Sequence, residues 1–158
     1  MLRSILFVCV AAGFMVPAAG SPVRIGPPDA PISTSVAVLG DARIVYVSGQ
    51  VPDIADSAAP PGSPKRYGDT ETQTRSVLAK VEKALAAQGL GLGDVVMMRV
   101  FLVAPSGQSR MDFAGMMKAY RERFGTPQQP AKPARTTVQI AGLYDPDFLV
   151  EIEVTAAK

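Results

Sequence analysis

The sequence predicts an α+β domain in which two helices cover one face of a mixed sheet. Three observations carry this. Between Thr70 and Gln88 the apolar residues Val77, Leu78, Val81 and Leu85 recur at helical spacing. The run "DVVMMRVFLVA" from Asp94 to Ala104 is mostly apolar, as a central strand covered on both faces would be. The elements follow the order β-β-α-β-α-β-β, and two helices are too few to cover both sides of the sheet.

Residues 1–20 differ in kind from the rest. "MLR" is a basic start, "SILFVCVAAGFMV" is an apolar stretch of thirteen residues, and "PAAGS" brings in small residues. That layout predicts a secretory signal peptide over residues 1–20, cut after Gly20 or Ala18. Thirteen residues are short for a membrane span, which needs about 20. Residues 21–158 then form a single domain, periplasmic or secreted, with no stable membrane insertion once the signal is removed.

"SPVRIGPPDAPIST" is rich in proline and predicts an irregular lead-in. Ser35–Leu39 and Arg43–Ser48 predict a hairpin about a Gly40-Asp41 turn. "PDIADSAAPPGSPKRYGD" carries four prolines and two glycines and predicts a long surface loop. The first helix follows, with Asp69 or Thr70 as its cap and Gly89 at its end. After the apolar strand a second helix spans Met111 to Phe124, its apolar residues being Met116, Met117, Tyr120 and Phe124. "PARTTVQIAGLYDPDFLVEIEV", from Pro133 to Val154, predicts two last strands around a turn. The sheet face that the helices leave bare predicts self-association.

Composition narrows the chemistry. The chain of 158 residues has a formal net charge of +2 and no basic stripe with interleaved aromatics, so nucleic acid is not an expected partner. With no histidine and one cysteine, a His- or Cys-rich zinc site, an internal disulfide and a histidine-based triad are all excluded. No GxGxxG follows a strand and no GxxxxGK occurs, so no nucleotide loop is predicted.

Four places can carry chemistry. Arg135 stands at the mouth of a strand, where it is either a solvated end or a two-pronged clamp for a carboxylate. Glu151 and Glu153 are two apart and so share a strand face; they are a solvent edge, or one of them works beside Arg135 as a general base that positions water. Gly49, in "VSGQV", is a bulge or a point of close backbone approach to a ligand. The Met-rich stretches "VVMMRV" and "FAGMMKAY" read as core filling.

The blocks "VYVSGQVP", "TRSVLAKVEKALAAQGLGLGDVV", "RVFLVAPSGQSRMDFAGMMKAYRERF" and "PARTTVQIAGLYDPDFLVEIEV" resemble, in order, those of the RidA (YjgF) family of reactive-intermediate deaminases. The resemblance covers Ser35 to Val154. It implies a chorismate-mutase-like fold and a homotrimer whose sheets pack into a central barrel, with clefts between subunits. It also implies hydrolysis of 2-enamine or 2-imine acids to 2-keto acids and ammonia, without a cofactor. On that resemblance Arg135 holds the substrate carboxylate, Glu151 activates water, and Gly49 lines the cleft.

The chain departs from the family pattern in three places. No tyrosine precedes Tyr46, where members carry one in a "GPYSQA"-like segment. Met117, which on the resemblance lines the cleft as a substrate-binding residue, stands where many members have asparagine, and Thr136 follows the arginine in place of a smaller residue. The cleft is then less polar than the family's. That fits a larger apolar substrate side chain, or a trimeric carboxylate-binding or protein-interaction member that has lost catalysis.

Overall fold

The computed structural model describes residues 21–158; the predicted signal peptide lies outside the described residues. Two short strands, β1 (Val23–Ile25) and β2 (Ser35–Ala37), come first. Then follow β3 (Ile44–Gln50), α1 (Thr70–Ala86), β4 (Val95–Leu102), α2 (Phe113–Arg121), β5 (Ala134–Gln139) and β6 (Val150–Ala157).

The main sheet has four strands in the order β3-β6-β4-β5. β6 runs antiparallel to both β3 and β4, whereas β5 is parallel to β4. A parallel pair needs a crossover, and α2 supplies it between β4 and β5. α1 does the same between β3 and β4, leaving the gap into which β6 is inserted. The predicted α+β class and the placing of both helices against a mixed sheet hold.

Several expectations are corrected. The sheet is open, with β3 and β5 as its two edges, so the central barrel does not appear. The predicted hairpin does not form either. β2 pairs with β1, in the lead-in expected to be irregular, and β3 pairs with β6. Local turn chemistry at Gly40-Asp41 is outweighed here by β6, whose Ile152, Val154 and Ala156 offer β3 a buried face. The last two strands are not neighbours, because β4 lies between them. β4 is central as predicted but is covered on one face, and Arg99 on the other is exposed.

Each helix is explained by its ends and its buried stripe. Asp69 caps α1 by accepting from the Thr72 amide at 2.8 Å, and Gly89 takes φ +70° just beyond its end. Val77, Leu78, Val81 and Leu85 are fully buried, each contributing roughly 1.5–3 kcal/mol of burial. α2 is shorter than predicted because the Asp112 side chain caps it, accepting from the Gly115 amide at 2.8 Å. On the sheet, Met98, Val100 and Leu102 of β4 meet these helices together with Ile152 and Val154 of β6.

The long loop between β3 and α1 is pinned. The Gly62 amide donates to Asp147 at 2.8 Å, Arg66 donates to the Ala59 carbonyl at 2.9 Å, and the Tyr67 ring meets Phe148 edge-on at 4.8 Å. The loop is thereby fastened to the segment that leads into β6. No helix among the described residues is long and apolar enough to cross a membrane.

Candidate functional site

Strand register decides which residues can meet. Arg135 lies opposite Met98 on β4, and Glu151 lies opposite Phe101. Met98 is buried beneath the helices, whereas Phe101, three residues on, alternates to the bare face. Arg135 and Glu151 therefore project from opposite faces of the sheet. Two strand spacings and three residues of rise put their Cα atoms roughly 14 Å apart. One chain does not bring these two side chains to one small molecule. It presents two half-sites instead.

The first half-site surrounds Arg135. Its guanidinium carbon sits 4.4 Å from the centre of the Tyr120 ring and 5.9 Å from that of Phe113, both on α2. Nη2 is 3.2 Å from the Met117 sulfur, and Nη1 is buried with no hydrogen-bond partner among the described residues. Burial lowers the Arg135 pKa from its ordinary value, with Arg121 nearby adding to the effect against the opposing influence of Tyr120. Guanidinium stays charged regardless. Burial likewise pushes the Tyr120 hydroxyl up to about 12, opposed by the Arg135 charge. A half-buried cation without an anion is costly, and an anion arriving from outside would offset that cost.

A strap of chain holds this half-site in place. The Tyr120 hydroxyl donates to the Pro31 carbonyl at 2.9 Å. Lys132 donates to the carbonyls of Pro28 at 2.9 Å and Ala30 at 2.7 Å. Ser33 donates from its amide to the Pro133 carbonyl at 2.9 Å and from its hydroxyl to the Lys132 carbonyl at 2.6 Å. Residues 28–33 are thus tied to the entry of β5, two residues before Arg135.

The second half-site pairs Gly49 with Glu151. β3 bulges between Val47 and Gln50, which brings the Gly49 backbone onto the carboxylate. A Cβ at Gly49 would lie 1.8 Å from Glu151 Oε1, so only glycine leaves the carboxylate where it is. The two glutamates also separate in role. Glu153 accepts from Arg99 at 2.6 Å, whereas Glu151 has no ion-pair partner among the described residues.

A cavity of about 500 Å³ opens at the N-termini of the two helices, lined by Lys65, Asp69, Asp112 and Asp147 among others. It contains neither Arg135 nor Glu151 and belongs to neither half-site.

The residues that sequence reasoning missed are Tyr120 and Phe113, which wall the guanidinium, and Lys132, which ties the strap. Tyr120 is among the apolar residues that the spacing of the second helix picks out, and it is buried. Nothing in that spacing showed that its ring face would meet Arg135.

A half-buried guanidinium, with Nη1 unpartnered among the described residues, thus stands on a sheet edge under the two helices of an α+β domain. Residues 28–158 match the family model described as Endoribonuclease L-PSP, and the chain belongs to that family, the RidA (YjgF) family of its resemblance. It is 33% identical over 128 residues to a RutC family protein of Pyrococcus horikoshii, covering 81% of this chain and 90% of that protein. It is 31% identical over 116 residues to the 2-iminobutanoate/2-iminopropanoate deaminase of Escherichia coli, covering 73% and 80% of the two chains. Among solved structures it resembles Escherichia coli TdcF with bound serine, with TM-score 0.57, 28% identity, and coverage of 86% of this chain and 98% of that one.

Proposed function

We propose that this protein hydrolyses 2-enamine or 2-imine acids to 2-keto acids and ammonia. The observation that carries the reading is the Arg135 guanidinium, half-buried against Phe113, Met117 and Tyr120 with Nη1 unpartnered among the described residues. A single planar cation fits a single carboxylate in two parallel hydrogen bonds. It is a poor match for the phosphate chain of RNA, which the family's description brings to mind. Deaminases among the relatives, and a relative whose solved structure holds serine, support a small amino-acid-like substrate.

The chemistry needs little machinery. The C2 carbon of an imine is already electrophilic. Water adds there, its proton passes through Glu151 to nitrogen, and collapse of the resulting carbinolamine breaks the C–N bond. Ammonia leaves and the carbonyl oxygen comes from water. Glu151 acts as general base and then general acid, worth typically 10²–10⁴-fold, and Arg135 holds the carboxylate in place.

Because the half-sites lie on opposite faces of the chain, self-association completes the site: Arg135 and Met117 from one copy, Glu151 and Gly49 from another. The family resemblance implies three copies. Export rests on the residue 1–20 pattern alone and is checked by cell fractionation.

A second reading, carboxylate binding without turnover, draws on the Met117 sulfur lying against Arg135. Hydrolysis of freshly generated imino acids of small and bulky amino acids separates the two. Under the first reading Arg135→Ala and Glu151→Gln each lower kcat/KM by about 100-fold or more. No rate above background for the wild type on any acid leaves carboxylate binding as the function.

A further inference from the structure

Three chain segments wall the cavity of about 500 Å³ at the N-termini of α1 and α2: the β3–α1 loop, the β4–α2 loop and the turn before β6. Buried Gln73 fixes two of them. It donates to the carbonyls of Gly68 at 3.1 Å and Asp147 at 3.0 Å, and it accepts from the Leu149 amide at 2.7 Å. The Val103 amide fastens the third by donating to the Leu149 carbonyl at 2.9 Å. The cavity is thus preformed, and its size is that of small-molecule sites.

Its charge is one-sided. Asp69, Asp112 and Asp147 line it against one cation, Lys65. Each aspartate accepts from a backbone amide at 2.8 Å, those of Thr72, Gly115 and Gly62 in turn, and an ionised carboxylate has acceptor sites to spare. None of these four residues is in an ion pair among the described residues. Arg75 and Lys118, whose charges act on Asp69, are themselves bridged to Glu71. A separate observation points to a ligand. Thr70, the first residue of α1, lines the same cavity and is 1% exposed, and its Oγ1 has no hydrogen-bond partner among the described residues. A buried hydroxyl left so forfeits the hydrogen bonds it makes to water, and an N–H arriving beside Asp69 restores one.

We propose that this cavity binds an elongated organic dication of the diamine class, one ammonium group at Asp69 and Thr70 and the other at Asp112, with Asp147 adding to the negative field. The site is separate from Arg135 and Glu151 and does not rest on the reading of either. How the charge is spread decides the shape of the ligand. No group of three or more acidic, histidine or cysteine side chains among the described residues is placed to hold a metal ion, so a point cation finds no focus. Two packed helices lie roughly 8–10 Å apart, a distance that a five-carbon diamine spans with a hydrogen bond of about 2.9 Å at each end. Pro64, Pro105, Pro146 and Leu149 also line the cavity and give the methylene chain an apolar wall.

The test is calorimetry of the full protein with 1,5-diaminopentane, pentylamine and magnesium chloride at matched ionic strength. Diaminopentane is expected to bind about tenfold or more tighter than pentylamine, which lacks one ammonium group, and magnesium to give no binding heat. Asparagine caps a helix as well as aspartate does, so Asp69→Asn and Asp112→Asn keep the fold and remove one charge each. Both are expected to weaken diaminopentane binding about tenfold with little change in melting temperature. Lys65→Glu removes the opposing charge and is expected to tighten binding severalfold, a gain that no loss of folding can imitate. Absence of diaminopentane binding overturns the proposal. Equal affinity for pentylamine, or affinity unchanged in both asparagine variants and in Lys65→Glu, overturns it as well. Magnesium that displaces the diamine would make the cavity a point-cation site, and the dication reading fails.

Discussion

Arg135 and Gly49 show how differently single residues declare themselves. Arg135 was visible in the sequence as a charge at a strand entrance, but its burial against Tyr120 and its unpartnered Nη1 needed the helix packed above it. Lysine at this position keeps the charge and loses the planar fork, so Arg135→Lys is expected to raise KM about tenfold or more with a smaller effect on kcat. Gly49 makes the sharper prediction. In Gly49→Ala the new methyl collides with Glu151 Oε1, the far end of a flexible side chain, which moves rather than breaking the strand. Folding, read by circular dichroism and melting temperature, is expected to hold. Displacement of the carboxylate by about 1 Å is expected to lower kcat about 100-fold. An unchanged kcat would remove Glu151 from the mechanism.

At the scale of elements, α1 was the most legible, because its stripe, cap and terminal glycine agree with one another. Asp69 accepts from the Thr72 backbone and side chain, and those hydrogen bonds hold its carboxyl below the usual carboxylate range. A depressed folded pKa gives stability that is present above the unfolded value, near 4, and is lost as pH falls through the folded value. Asp69→Ala is expected to cost about 1 kcal/mol at pH 7, a fall of about 2–4 °C in melting temperature. The gap between variant and wild type should close as pH falls below about 4, which thermal melts at successively lower pH check. Arg75 pairs with Glu71 within α1, while Lys118–Glu71, Arg75–Glu122 and Arg123–Glu82 tie α1 to α2 and the residues just beyond its end, but exposed pairs contribute about 0–1 kcal/mol each. The strands were less legible. β1 is three residues long, too short for its alternation to stand out from a proline-rich lead-in, and the pairing of β2 with it overrode a plausible local turn.

At the scale of the whole molecule, one sheet face has no cover among the described residues. Tyr46 on that face is 79% exposed, and Ile44 and Val138 are exposed there too. Light scattering is expected to find more than one copy in solution. The proposed division of the site has a direct test. Arg135→Ala and Glu151→Ala, each inactive alone, are expected to regain about a quarter of wild-type activity when unfolded and refolded together, because some mixed assemblies contain one intact pair. Activity that stays absent in the mixture, with mixed assemblies demonstrated by mass, would mean that the two residues do not share a substrate.

Sequence by itself determined the class of fold, the two helices, the central strand, the family, and the identity of Arg135 and Glu151 as residues of interest. These follow from local periodicity, from capping and from motif order, all of which act over a few residues. Alternation also told that Glu151 and Glu153 share one face, and motif order placed Arg135 at the entrance of the preceding strand. Neither could relate the faces of the two strands to each other. That relation depends on β6 entering between β3 and β4, and on the register that sets Arg135 opposite Met98 and Glu151 opposite Phe101. Pairing between distant segments is a choice made by the packed sheet as a whole, since a slip of one residue exchanges the two faces. The tertiary structure alone decided that Arg135 and Glu151 project from opposite faces of the sheet.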